Sequence, residues 1–182
     1  MDFNFNFGEM TLYEREKLFN IISKKDPDII LECGSGVGAS TFIMVNASNK
    51  NTKIYSCDPI REPKITSPKL FFHKITSKKL ISNLIKNNIT PDLIFFDGPE
   101  DPNVALDDFK ELENFVDVNT IFMMHDWCTN TRKYDGAIST KALLLKPYIN
   151  SLDNWELIEE IDGENYKEGK ESVGLCLYKK IF

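Results

Sequence analysis

The sequence predicts a doubly wound α/β fold, a mostly parallel sheet covered by helices on both faces, and three observations carry that prediction. Short apolar runs alternate with helix-length segments from Asp28 to Asp126. The runs are apolar at consecutive positions, as strands buried on both faces require. Nearly every run ends in an acid or a glycine turn, and in open sheets of this kind the strand ends face the ligand.

Taken in order, Thr11-Leu12-Tyr13-Glu14 forms a capping box, and Leu18, Ile21 and Ile22 follow at helical spacing. A helix over Leu12 to Lys24 follows, stopped by Pro27. Asp28 to Cys33 is a buried strand opening onto Gly34-Ser35-Gly36-Val37-Gly38, and Ala39 to Ser48 is the next helix. Lys53 to Cys57 is a second strand ending at Asp58, and Lys69 to His73 a third, after which Thr76 or Ser77 caps a helix. Asp92 to Phe96 is a fourth strand ending at Asp97-Gly98-Pro99, Asp107 to Phe115 is helical, and Thr120 to Met124 is a fifth strand ending at His125-Asp126.

The tail breaks the alternation. Trp155 to Glu159 and Val173 to Tyr178 are strand-like runs with no helix between them, so they form an antiparallel hairpin at one edge of the sheet. The loop from Asp162 to Lys170 is expected to be exposed and mobile.

The 182 residues suit one domain, with 1–27 as an N-terminal cap region and 28–182 as the core, and no repeat or linker marks a boundary. A chain of this length buries roughly 70% of its unfolded surface, so it needs neither metal nor disulfide to hold a core. Twenty-two basic against 28 acidic side chains give a net charge of -6, which disfavours nucleic acid. The lysines from Lys64 to Lys86 are interleaved with Ile and Leu at helical spacing and form a solvated face. Cys33, Cys57, Cys128 and Cys176 are scattered without metal-ligand spacing, and no stretch resembles a leader or a membrane span, so the expected location is cytoplasmic.

The chemistry is expected at the strand ends. Glu32 and three alternating glycines follow strand one, Asp58 strand two, Asp97 strand four, and His125 and Asp126 strand five. The glycines allow a ligand to approach the backbone, the following helix offers free N–H groups, and Asp58 stands where a carboxylate binds both hydroxyls of a ribose. Gly34 to Ala39 also satisfies the looser G-x-G-x-x-A dinucleotide pattern, which keeps an NAD-dependent oxidoreductase as an alternative.

Glu32-Cys33-Gly34-Ser35-Gly36-Val37-Gly38, together with the hairpin tail, resembles the class I S-adenosylmethionine-dependent methyltransferases, over nearly the whole stretch from Ile29 to Tyr178. The resemblance implies a three-layer, Rossmann-like, seven-stranded sheet of order 3-2-1-4-5-7-6 with its seventh strand antiparallel. It implies that Gly34, Gly36 and Gly38, with Ser35, pass under the methionine part of S-adenosylmethionine, that Glu32 organises the turn and that Asp58 holds the ribose. Thr76 and Ser77 are the candidates for facing adenine, and Asp97 is counted among the cofactor contacts. Asp97-Gly98-Pro99-Glu100 and His125-Asp126-Trp127 resemble a small-molecule O-methyltransferase subset, with Glu100 standing where that subset carries histidine.

Methyl transfer needs in-line alignment and removal of the acceptor proton, for which Asp97, His125 and Asp126 are the candidates. Asp97 and Asp126 equally suit Mg2+, which would lower the acceptor's pKa. Simpler roles stay open beside these. Asp58-Pro59 and Asp97-Gly98 fit turns, His125 fits a bonded core histidine, and Trp127 fits either a pocket wall or a packing anchor. Cys33 and Cys57 fit small buried hydrophobes. Asn130 to Ala137, with Arg132 and Lys133, has the character of an acceptor loop, and the first helix, with Tyr13 and Phe19, of a cap over the cofactor. The expected activity is O-methylation of a small-molecule or sugar-like acceptor, without nucleic acid or membrane partners. A homodimer and a catalytically inactive nucleoside-binding module of the same fold remain open.

Overall fold

The computed structural model describes residues 7–8, 10–98, 101–127, 140–161 and 174–182. Helix α1 (Leu12–Lys25) starts at the expected capping box: Thr11 Oγ1 accepts the Glu14 N–H at 3.3 Å and Glu14 Oε2 accepts the Thr11 N–H at 2.8 Å. There follow β1 (Ile29–Cys33), α2 (Ala39–Ala47), β2 (Lys53–Cys57), β3 (Leu70–His73), α3 (Ser77–Lys86), β4 (Leu93–Phe96), α4 (Pro102–Glu113), β5 (Ile121–His125), α5 (Thr140–Asn150), β6 (Trp155–Ile161) and β7 (Leu175–Lys180). The strands form one sheet of order β3-β2-β1-β4-β5-β7-β6. Pairings from β3 through β5 are parallel, and β7 runs antiparallel to both β5 and β6.

Alternation along each strand divides the core between the two faces of the sheet. Ile30, Ile54, Phe95 and Met123 pack against Leu18 and Ile22 of α1 and Ile43 and Met44 of α2. Leu31, Ile94, Phe96 and Phe122 pack against Leu80, Leu84, Phe109, Leu112, Leu145 and Ile149 of α3, α4 and α5. Each such side chain contributes about 1.5–3 kcal/mol through burial. Both clusters leave the carboxyl ends of β1, β2, β4 and β5 on one rim, which is where a site can form.

The elements depart from expectation in two places. Helix α4 begins at Pro102, not Asp107, because Asp101 caps it, accepting the Asn103 N–H at 2.9 Å, and Pro102 occupies the first turn. Helix α5 was not expected at all, so the hairpin is not the only element after β5; Pro147 inside it and a run of apolar residues obscure its periodicity. Val173, the loop 162–170, Pro99, Glu100, Cys128 and the segment 130–137 lie outside the described residues. No described helix is long and apolar enough to cross a membrane.

Candidate active site

The chain leaves β1 in the middle of the sheet and turns through glycines whose reasons differ. A Cβ at Gly34 would lie 2.8 Å from the carbonyl carbon of Asp97 and the Cα of Gly98, so this glycine lets the ends of β1 and β4 touch. At Gly36, where φ is 53°, a Cβ would meet nothing within 4 Å, so the bare backbone borders open space. Gly38 instead presses on the loop after β2, where its Cβ would lie 2.9 Å from Pro63 Cβ.

That open space is a cavity of about 780 Å3 at the carboxyl rim of the sheet. Gly34, Ser35, Gly36, Asp58, Thr76 and Ser77 line it on one side, and Asp97, Gly98, His125 and Asp126 on the other. The structure therefore brings together all the expected residues except Glu32 and Gly38, which support the lining from behind.

Glu32 is fully buried beneath the turn, where it accepts hydrogen bonds from Ser40 Oγ at 2.6 Å, Thr41 Oγ1 at 2.8 Å and Ser56 Oγ. One carboxylate thus ties β1 to the first turn of α2 and to β2. Burial pushes its pKa up to about 7, with the three hydroxyl bonds opposing that rise and the nearby Asp97 charge adding to it. Asp58 ties the turn down from above. Its Oδ2 accepts the Gly36 N–H at 2.9 Å, and its Oδ1 accepts the N–H groups of Ile60 and Arg61 at 2.8 and 2.7 Å. The turn role and the ligand role coexist, since these oxygens border the cavity and a carboxylate has about four acceptor sites.

Two hydroxyls in the lining are informative. Ser35 is buried, and its Oγ has no hydrogen-bond partner among the described residues. The residue lines the cavity while its Oγ is turned into the protein beneath the turn. Ser77 Oγ donates to Asp108 Oδ2 on α4, while Thr76 caps α3. Asp108 is 1% exposed, and its Oδ1 has no partner among the described residues. Burial pushes its pKa up, against the Ser77 bond. Asp108 stands behind Ser77 and does not itself line the cavity; no local pattern in the sequence marks it.

On the other side His125, 3% exposed, is held by both ring nitrogens. Nδ1 lies 3.1 Å from Asp97 Oδ1 and Nε2 lies 3.4 Å from Oε2 of the fully buried Glu14. Burial pulls the imidazole pKa down, but the charges and hydrogen bonds of Asp97 and Glu14 outweigh it, and the net shift is well above 6.5. Hydrogen-bonded on both sides, with its pKa raised by the two acids, His125 is better suited to fix Asp97 than to act on the acceptor. Asp126 adopts a left-handed backbone (φ 60°), uncommon for a non-glycine residue, and its Oδ2 meets Nζ of Lys141 at 3.0 Å. Lys141 is 2% exposed, and its Nζ also lies 3.4 Å from the Asp97 carbonyl. Neither Glu14 nor Lys141 stood out in the sequence, the first because its capping role explained it, the second because α5 was not foreseen.

Donor atoms of Asp97, His125 and Asp126 lie within 4.8 Å of one another, a spacing open to a cation. The donor chemistry does not fit Mg2+. Both ring nitrogens of His125 are already engaged by carboxylates, Asp97 and Glu14, and Asp126 already faces an ammonium. Trp127, 1% exposed, packs edge-on against Tyr178 at 5.8 Å and is absent from the cavity lining, so it is the packing anchor. Cys33 and Cys57 are buried side by side in the β1–β2 register, and burial pushes the Cys33 thiol well above its usual pKa.

A sheet of this order with a glycine turn bordering a cavity at its rim defines the class I S-adenosylmethionine-dependent methyltransferases. The family model described as a methyltransferase domain matches residues 31–127, more than half of the chain, and the chain belongs to that family. No protein of curated function matches it by sequence. Among solved structures it is similar to the O-methyltransferase TomG from Streptomyces achromogenes, involved in tomaymycin synthesis and solved in complex with SAM, with a TM-score of 0.76 and 10% identity over 96% of this chain and 82% of that one. It is similar also to an O-methyltransferase from Bacillus cereus in complex with SAH (TM-score 0.71, 11% identity, covering 97% and 84%) and to a methyltransferase from Geobacter sulfurreducens (TM-score 0.61, 10% identity, covering 92% and 78%). The family match sets aside the oxidoreductase alternative.

Proposed function

We propose that this enzyme transfers the methyl group of S-adenosylmethionine to an oxygen of a small-molecule acceptor. The observation that carries the reading is the cavity's two-sided lining: bare backbone at Gly36 with Ser35 and Asp58 on one side, and Asp97 with Asp126 on the other. The first side suits a nucleoside with a charged amino-acid arm. Ribose hydroxyls are assigned to Asp58, the methionine arm to the turn from Gly34 to Gly38 together with Asp97, and the base to Thr76 and Ser77.

On the acceptor side, Asp97 and Asp126 have side chains 27% and 19% exposed, so they face the cavity while held from behind by His125 and Lys141. Their role is to orient the acceptor hydroxyl toward the methyl carbon and to accept its proton as the new bond forms. His125 acts through Asp97, as a fixed cation. S-adenosylmethionine, when bound, supplies the electrophilic methyl group and the leaving thioether. Mg2+ assistance has only the donor-atom spacing in its favour, so the reading assigns the proton to protein carboxylates. Two TomG and B. cereus features, O-methyl transfer and SAM or SAH in the complex, agree with this assignment.

Calorimetric titration with S-adenosylhomocysteine tests the cofactor half, with saturable binding expected at one site and weakened by Asp58→Ala. Binding unchanged by that substitution would remove the ribose assignment. A screen of hydroxylated acceptors with labelled methyl donor tests the rest. Binding without transfer to any acceptor would favour the inactive module of the same fold.

A further inference from the structure

Lys141 is a lysine at 2% exposure, a degree of burial that lysines reach almost only in a specific pairing. Its place is set by α5, whose Ala142, Leu145 and Ile149 are locked in the core beside it. From there Nζ reaches Asp126 Oδ2 at 3.0 Å at the end of β5 and the Asp97 carbonyl at 3.4 Å at the end of β4. These are the two strand ends that a metal shared by Asp97 and Asp126 would bridge. Beside it, Nδ1 of His125 sits 3.1 Å from Asp97 Oδ1 and 3.8 Å from Asp126 Oδ1.

We propose that Lys141 is the resident cation of the acceptor side, standing where a divalent ion would bridge the ends of β4 and β5 and holding Asp126 in its left-handed backbone position. Asp126, with its side chain 19% exposed, meets this ammonium directly, so the acid has a cationic partner without a metal. Three acids, Glu14, Asp97 and Asp126, surround His125 and Lys141. A divalent ion entering between Asp97 and Asp126 would have to expel the ammonium. Lys141 does not line the cavity, so it is a positioning residue that acts on the acceptor through Asp126. The inference rests on the methyl-transfer reading only for its effect on turnover, because metal exclusion is a property of the folded chain itself.

Mn2+ alone, followed by electron paramagnetic resonance on the full chain, is the test. The wild type is expected to leave the free Mn2+ signal unchanged at equimolar metal. Lys141→Met opens the Asp97–Asp126 gap and is expected to take up Mn2+ at least about tenfold more tightly, whereas Lys141→Arg, which keeps the charge, takes up none. One Mn2+ bound per wild-type chain and lost in Asp126→Asn would overturn the proposal, as would a folded Lys141→Met that binds no more tightly than the wild type. If Lys141→Met does not fold, Lys141→Gln carries the same expectation, and the wild-type measurement decides by itself. A wild type that binds no S-adenosylhomocysteine overturns the methyl-transfer reading and leaves the Mn2+ result standing, so the two failures are distinct.

Discussion

Glu14 Oε2 lies 3.4 Å from Nε2 of His125, although 111 positions separate the two residues. The same carboxylate closes the capping box of α1, so that helix is fastened to the strand end that builds the site. With Asp97 on the other ring nitrogen, the imidazole sits between two acids and keeps its proton.

The first expectation concerns that proton. Nitrogen NMR at pH 7.5 should show both ring nitrogens of His125 protonated, and Glu14→Gln should bring its titration down toward 6.5. Because the folded pKa is raised, the stabilisation is complete below about 6.5 and fades only as pH rises through the folded value. The Tm gap between wild type and Glu14→Gln should therefore persist at neutral pH and narrow in alkali. A wild-type imidazole titrating near 6.5 would refute the clamp.

Glu32 gives a pH effect in a lower window. Its pKa is raised to about 7, so the native state holds an extra proton between roughly pH 4.5 and 7 and stability falls as pH rises through that range. Glu32→Gln lacks this dependence. Relative to the variant, the wild type should lose up to about 3 kcal/mol between pH 4.5 and 8, an order-of-magnitude figure from about 1.4 kcal/mol per pH unit. Parallel pH curves for the two proteins would show that Glu32 is ionised throughout.

Gly34 and Gly36 should separate folding from binding. Gly34→Ala drives a methyl group into the Asp97–Gly98 backbone and should lower stability by on the order of 3 kcal/mol or more. Gly36→Ala meets open space and carries only left-handed strain of roughly 1–2 kcal/mol. Yet it is Gly36→Ala that should weaken S-adenosylhomocysteine about tenfold while the fold persists. Thermal melts and calorimetry on both variants check the contrast, and a Gly36→Ala protein with unchanged affinity counts against the cofactor lying on this turn.

Ser77 and Asp108 make the base subsite testable. Asp108 accepts the Ser77 O–H, so the hydroxyl presents only lone pairs to the cavity and favours a donor such as the amino group of adenine. Ser77→Ala should weaken S-adenosylhomocysteine about fivefold and leave the affinity for S-inosylhomocysteine, which carries an acceptor there, nearly unchanged. Equal losses for both ligands would mean that Ser77 only shapes the wall.

Much of the fold was legible because its signals are local. Consecutive apolar residues ending at Cys33, Cys57, Phe96 and Met124 mark buried parallel strands, and the two helix-free runs at the end mark the antiparallel pair. Strand ends gave the glycine turn, Asp58, Asp97, His125 and Asp126, the family resemblance added Ser35, Thr76 and Ser77, and nine of the expected residues do line the cavity. Helix α4 was misplaced by five residues because its start is written in a cap, Asp101-Pro102, more than in its apolar period, and α5 was hidden by Pro147.

By itself, the sequence determined the seven strands, four of the five described helices, the glycine turn and most of the side chains at the rim, since each depends on neighbours a few positions apart. Tertiary structure decided how those side chains are charged and held: Glu14 on His125, Lys141 on Asp126 and Ser77 on Asp108 pair residues from different elements. The reason is physical. Periodicity records which face of an element is buried, whereas the protonation state of a buried group depends on the opposite charge that packing brings within about 4 Å, and that partner has no fixed distance along the chain.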